Sequence, residues 1–159
     1  MVSREHCPCG QPESFANCCE AVQKQGAQHV EALMRSRYSA YVLGQIDYLI
    51  ATTLPAQQSG LDRDAMQQWS QSSQWLGLDV LGSAQQDSSP ARGWVRFNVR
   101  WQDAEGHQLA HEELSHFVRG GDQRWYFIDP TVRLKADRNG ACPCGSGRKV
   151  KKCCGPYLG

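Results

Sequence analysis

Eight cysteines stand in two clusters of the same spacing, and that repeat constrains the fold of this chain more than any other feature. Cys7-Pro8-Cys9-Gly10 opens the first copy, eight residues follow Cys9, and Cys18-Cys19 closes it. Cys142-Pro143-Cys144-Gly145 opens the second, and after the same interval Cys153-Cys154 closes it. No cysteine lies between residues 20 and 141. Segments this short cannot bury enough apolar surface to fold alone, so an ion must supply the missing stability.

Four soft ligands converging on one point suit a tetrahedral metal site. A Cys-x-Cys pair on a tight turn aims two sulfurs at one ion. The intervening proline stiffens the turn, and the glycine permits a backbone angle that other residues avoid. The Cys-Cys pair closes the site from a short helical turn. Zinc is the expected ion, because it favours four thiolates in a tetrahedron and has no redox chemistry of its own. Two zinc ions are expected, one on Cys7, Cys9, Cys18 and Cys19 and one on Cys142, Cys144, Cys153 and Cys154. Disulfides are disfavoured in a reducing compartment, the spacing fits neither ferredoxin pattern, and the Cys-x-x-Cys of redox thiols is absent. His6 is a substitute ligand in principle, but a lone exposed histidine is the simpler reading. The opening residues MVSREHCPCGQ contain no apolar stretch, so no secretory signal is expected and a cytoplasmic location follows. No apolar run is long enough for insertion in a membrane.

Charge separates the two copies. Lys and Arg total 17 against 16 Asp and Glu, which excludes an extreme polyanion and a histone-like binder. From Arg133 onward, however, there are seven basic side chains and one acid, so a basic tail follows an acidic body. The C-terminal copy reads CPCGSGRKVKKCC, with Arg148, Lys149, Lys151 and Lys152 between its ligand pairs. The N-terminal copy reads CPCGQPESFANCC and carries Glu13 instead. Four thiolates on a divalent ion carry about −2, and the four cations leave the second module at about +2.

CPCGSGRKVKKCC resembles the SEC-C motif, the zinc-binding tail of the protein-export ATPase SecA. In that family the pattern is Cys-x-Cys, eight residues, then Cys followed by Cys or His. Cys142, Cys144, Cys153 and Cys154 match it, with Gly-Ser-Gly at 145–147. Cys7, Cys9, Cys18 and Cys19 match the ligand pattern without Gly-Ser-Gly or the basic run. A SEC-C-like segment at each end, around a middle containing Leu33-Met34-Arg35-Ser36-Arg37-Tyr38, resembles the YchJ family of small bacterial proteins.

Residues 28–43 read as a helix, with Val30, Leu33, Met34, Arg37, Tyr38, Tyr41 and Val42 at helical spacing and Gly44 as the stop. A shorter helix follows over 46–53, and Asp62 is placed to cap another over 63–70. The period then changes to two. Strands are expected over 75–84, 93–101, 108–119 and 125–128, with turns at 104–107 and 120–122. Helices followed by an antiparallel meander make an α+β plan. The family resemblance implies that this middle is a nuclear-transport-factor-two-like cone, a bent sheet wrapped around a long helix. The expected organisation is a zinc knuckle over 1–26, the α+β cone over 27–132 with a core of its own, and a second knuckle over 133–159.

Two functional readings follow. In the first, the chain is a non-enzymatic adaptor that docks through Arg148, Lys149, Lys151 and Lys152 on an acidic partner. The resemblance to the SecA tail implies an acidic chaperone of the SecB kind, or the ribosome, and a link to protein export. RNA is the generic alternative for a basic zinc knuckle, but the knuckles offer few aromatics beyond Phe15 and Tyr157. A basic run that is merely solvated would also satisfy the composition. In the second reading the cone is a small-ligand or enzyme pocket and the zinc is structural. Its candidate residues are Tyr38, Tyr41, Glu112 and His116, since Glu112 and His116 share one strand face. The plainer account of that pair is an ordinary surface contact, because nothing else completes a recognisable site. The five tryptophans read as core or pocket wall.

Overall fold

A computed structural model describes residues 5–88, 90–134 and 137–158. Residues 1–4 of the opening stretch and Lys135 of the basic tail lie outside the described residues. The helices are α1 (Cys19–Gln25), α2 (Val30–Leu43), α3 (Ile46–Ala51) and α4 (Arg63–Ser72). The strands are β1 (Gln74–Gln86), β2 (Arg92–Gln102), β3 (Gln108–Arg119) and β4 (Trp125–Ile128). They form one antiparallel sheet in the order β1-β2-β3-β4. The α+β plan of helices followed by a meander is therefore what forms. Among the described residues, no helix is long and apolar enough to cross a membrane.

α2 is the axis. The His29 ring accepts from the Ala32 N–H at 3.3 Å and caps its start, and Gly44 ends it in the left-handed conformation at φ 73°. Val30, Leu33, Met34, Arg37 and Tyr38 are buried, as their spacing predicts. Ser36, Ser39 and Ala40 are buried too, so the helix hides far more than one stripe. The reason is that the sheet, α3 and the N-terminal cysteine module enclose it on different sides. The Asp62 side chain caps α4 by accepting from the Ala65 N–H at 3.0 Å. α1 continues straight out of the first cysteine pair, an element that the hydrophobic period alone does not announce.

In β2 the odd positions Val95, Phe97 and Val99 are buried against α2, while Trp94, Arg96 and Arg100 point outward and are exposed. Trp101 is half-buried at the edge of this face, while Trp69 and Trp94 are exposed, against the expectation that all five tryptophans are core or pocket wall. Gly93 is needed where it stands. A Cβ there would meet Val30 Cγ1 at 2.6 Å, so only glycine lets the start of α2 close on the strand. Two register shifts in β1, at Trp75/Gly77 and Val80/Gly82, break the regular ladder and bend that edge.

The two cysteine modules join cores on opposite faces of the sheet. Cys7, Cys9 and Cys19 belong to the main core with Leu33, Tyr38, Val95, Phe97 and Phe117. Cys142, Cys144, Cys153 and Cys154 belong to a second core with Leu54, Val118, Tyr126 and Ile128 on the opposite face. Adjacent residues Phe117 and Val118 are both buried for this reason. The N-terminal module thus shares a core with α2 and the sheet. A helix with Ser36 and Ser39 facing inward needs that module to cover it.

Candidate metal centres

The two tetrads are built by the same backbone device. Cys7 N–H donates to the Glu13 carbonyl at 2.7 Å, and Cys142 N–H to the Arg148 carbonyl at 2.8 Å. Gly10 N–H returns to the Cys7 carbonyl and Gly145 N–H to the Cys142 carbonyl, each at 3.1 Å. Both glycines have positive φ, 96° and 82°, which closes the turn that carries the first two sulfurs. The 3-10 turns Phe15–Asn17 and Val150–Lys152 then deliver the second pair, with Cys18 N–H on the Phe15 carbonyl and Cys153 N–H on the Val150 carbonyl. The lack of Gly-Ser-Gly in the first copy leaves this device intact.

The sulfurs converge. In each tetrad the four Sγ atoms lie within 4.8 Å of one another, and seven of the eight cysteines are buried. Bonds of about 2.3 Å to one tetrahedral ion would set sulfurs about 3.8 Å apart. Cys9 and Cys18 Sγ stand at 3.7 Å, and Cys144 and Cys153 Sγ at 3.5 Å. The donor set therefore fits a metal ion in both places. His6 is exposed and its Nδ1 lies 2.8 Å from the Pro12 carbonyl oxygen, outside the group of converging ligands.

The electrostatics agree. As thiols the four sulfurs cannot ionise together. A hydrogen bond from Cys19 holds Cys9 down at about 5, while that same bond and burial push Cys19 up. Burial and the neighbouring sulfurs push Cys18 up to about 12. A divalent cation lets all four become thiolates at once.

Each tetrad also has outer partners. Arg35 Nη1 donates to the Cys9 carbonyl at 2.9 Å, and the Ser39 hydroxyl lies 3.6 Å from Cys7 Sγ. The other residues of the segment 33–38 have distinct roles. Leu33, Met34 and Tyr38 fill the core, and Ser36 bonds the Leu33 carbonyl and Tyr48. Arg37 is buried, and among the described residues no carboxylate pairs with it. Its Nη1 donates to the Leu49 carbonyl at 2.8 Å and to Thr52 Oγ1 at 2.6 Å, near the end of α3. At the second tetrad, Arg92 Nη2 donates to Cys153 Sγ at 3.0 Å, and Ser146 Oγ lies 3.2 Å from the same sulfur. Gly121 N–H donates to the Cys144 carbonyl at 3.0 Å, and a Cβ on Gly121 would meet the Gly145 carbonyl oxygen at 2.8 Å. Arg35, Ser39, Arg92 and Gly121 escaped the sequence reading. Gly120-Gly121 reads there only as a turn, and nothing local marks Arg92.

Arg148, Lys149, Lys151 and Lys152 are all exposed on the second module. The candidate pocket residues are not brought together. Tyr38 and Tyr41 pack inward against Trp75, with ring centroids 6.0 and 5.8 Å away. Glu112 and His116 share a face as the period predicts, but it is the outward one. Glu112 pairs with Arg96 at 3.1 Å, both side chains at least half exposed, and the His116 ring lies 4.7 Å from that of Tyr157. Instead Glu113 turns inward. Burial raises it above the ordinary carboxyl range, and His111 Nε2 stands 4.0 Å from its carboxylate.

Comparison with known proteins agrees with this layout. Residues 29–130 match the family model described as YchJ, middle NTF2-like domain, and residues 138–156 match that of the SEC-C motif. A SEC-C motif containing protein from Psychrobacter arcticus, known from a crystal structure, is similar over 97% of both chains. It shares 36% identity at a TM-score of 0.86. A SEC-C motif containing protein from Rhodopseudomonas palustris, known from a solution structure, shares 37% identity over 78% of this chain and 95% of its own. Its TM-score is 0.70.

Proposed function

This chain belongs to the YchJ family, and from that premise we propose that it is a cytoplasmic zinc-binding adaptor. Zinc in both tetrads holds the two modules, and the C-terminal one docks on an acidic protein surface. The observation that carries this reading is the position of Arg148, Lys149, Lys151 and Lys152. All four are exposed, while the sulfurs they separate are buried. Their backbone is fixed at its base by Lys151 N–H on the Arg138 carbonyl and Val150 N–H on the Gly140 carbonyl. A positive patch held in one orientation raises association rates and selects acidic partners. By likeness to the SecA tail, the partner is a SecB-like chaperone and the setting is protein export.

The test is binding of the full-length protein to a purified SecB-type chaperone at low and moderate salt. Ribosomes and single-stranded RNA serve as competing ligands. Binding to the chaperone that weakens with salt is expected. Replacing Arg148, Lys149, Lys151 and Lys152 together with alanine should abolish it and leave the zinc content unchanged. Capture of ribosomes or RNA instead would replace the partner. Undiminished chaperone binding by the quadruple variant would sink the docking face.

A further inference from the structure

The two tetrads match in backbone but differ in what touches their sulfurs. At the first, Arg35 reaches a carbonyl, and the hydroxyl of Ser39 is the group beside a sulfur. At the second, a cation reaches the sulfurs themselves. Arg92 opens β2 on the outward face, and its Nη2 lies 3.0 Å from Cys153 Sγ and 3.6 Å from Cys154 Sγ. The guanidinium carbon sits 5.0 Å from the centre of the Tyr157 ring, and that ring in turn lies against His116 of β3. Arg92 Nη1 is buried and has no hydrogen-bond partner among the described residues.

A half-buried guanidinium with one buried, unused donor is costly unless a strong negative charge lies beside it. A divalent ion on four thiolates supplies that charge, about −2 in total, in a site with little water to screen it. An N–H donor on a thiolate also withdraws electron density from the sulfur and fixes the direction of its lone pairs. Groups placed this way around metal ligands set both the orientation of the ligands and the affinity for the ion.

We propose that Arg92 is a positioning residue of the C-terminal metal centre. It holds Cys153 and Cys154 for the ion, offsets part of the charge of the loaded tetrad, and fastens the module to the sheet. The inference rests on the reading that both tetrads bind metal. It adds that the second site is completed by a residue outside the motif, so the motif cut from the protein is a weaker site than the motif in place. Metal loading and the orientation of the basic face then become one event. Without the loaded tetrad, the Arg92 anchor loses the charge that holds it.

The intact chain provides its own control, because among the described residues no cation reaches the sulfurs of the first tetrad. Loaded with cadmium-113, the wild-type protein is expected to give two resonances, one per tetrad. A C142A/C144A variant identifies the one from the second site. R92Q is expected to move that resonance and leave the other in place. In competition with a chelator, R92Q should weaken the second site by about 10–100-fold while the first keeps its wild-type affinity. R92K keeps the charge and a donor and should restore most of that loss. A contact that merely braced the module would leave the resonance position unchanged and would not be rescued by lysine. If R92Q and R92K leave both resonances and both affinities as in the wild type, the proposal is overturned while the metal reading stands. If neither tetrad takes up cadmium or zinc, both fall.

Discussion

Arg35 on α2 donates to the backbone carbonyl of Cys9 at 2.9 Å, so the central helix itself holds the turn that carries two sulfurs of the first tetrad. The same side chain pairs with Glu31 one turn earlier at 3.2 Å. The first tetrad is therefore an extension of the main core.

Arg35→Ala should remove a charge-assisted bond to a buried turn, at a cost of about 1.5–3 kcal/mol. Urea unfolding of the metal-loaded protein measures it. The N-terminal site should also release its ion to a chelator faster, with the C-terminal site unaffected. A change in both sites alike would contradict the assignment.

Removing the metal should unsettle more than the ends. Cys7, Cys9 and Cys19 share a core with Val95, Phe97 and Trp125, so stripping both ions should lower the melting temperature of the whole chain. The near-ultraviolet circular dichroism of the Trp75 and Trp125 environments should weaken with it. Elemental analysis of the untreated protein should find two zinc ions per chain. A stripped protein whose aromatic signal melts at the original temperature would instead favour a self-contained cone.

Gly121→Ala should detach the second module selectively. The added Cβ meets the backbone oxygen of Gly145 at 2.8 Å, and backbone on both sides has little room to yield. Overpacking of this kind costs about 1–3 kcal/mol. Hydrogen exchange should quicken over residues 138–156 and at Val118 while β1 and β2 keep their protection. Unchanged exchange in the module would show that the contact is not tight.

Glu113 gives a pH signature. Burial raises it, with Asp129 adding to the shift and His111 and Arg37 opposing it. The unfolded chain therefore ionises first. Stability attached to this group is intact below the unfolded carboxyl value, about 4.3, and is lost as pH rises through the folded value. Glu113→Gln should match the wild type at the acid end of that window and exceed it in stability near neutrality. Paired urea titrations across that range measure the difference, and a gap that stays constant with pH would refute the buried placement.

Much of this was legible in the residues. The two clusters of converging sulfurs follow from spacing, because four sulfurs on two short turns are local chemistry. Helix α2 and its stop at Gly44, the Asp62 cap and the four strands follow from period and turn residues. The period also paired Glu112 with His116 correctly. It could not say which face was inside, since alternation by two looks the same from either side. Here the answer went against them, and Glu113 took the inward place.

The sequence by itself determined the local units: two metal-ready tetrads, a capped helix, an alternating meander and an exposed basic run. Each depends on residues within a few positions of one another. Only the tertiary structure decided that the tetrads cover opposite faces of one sheet, that Arg35 and Ser39 reach the first, and that Arg92 reaches the sulfurs of the second. Those contacts join residues far apart in the chain. No local propensity encodes them, and they come into being only when the sheet and α2 have packed.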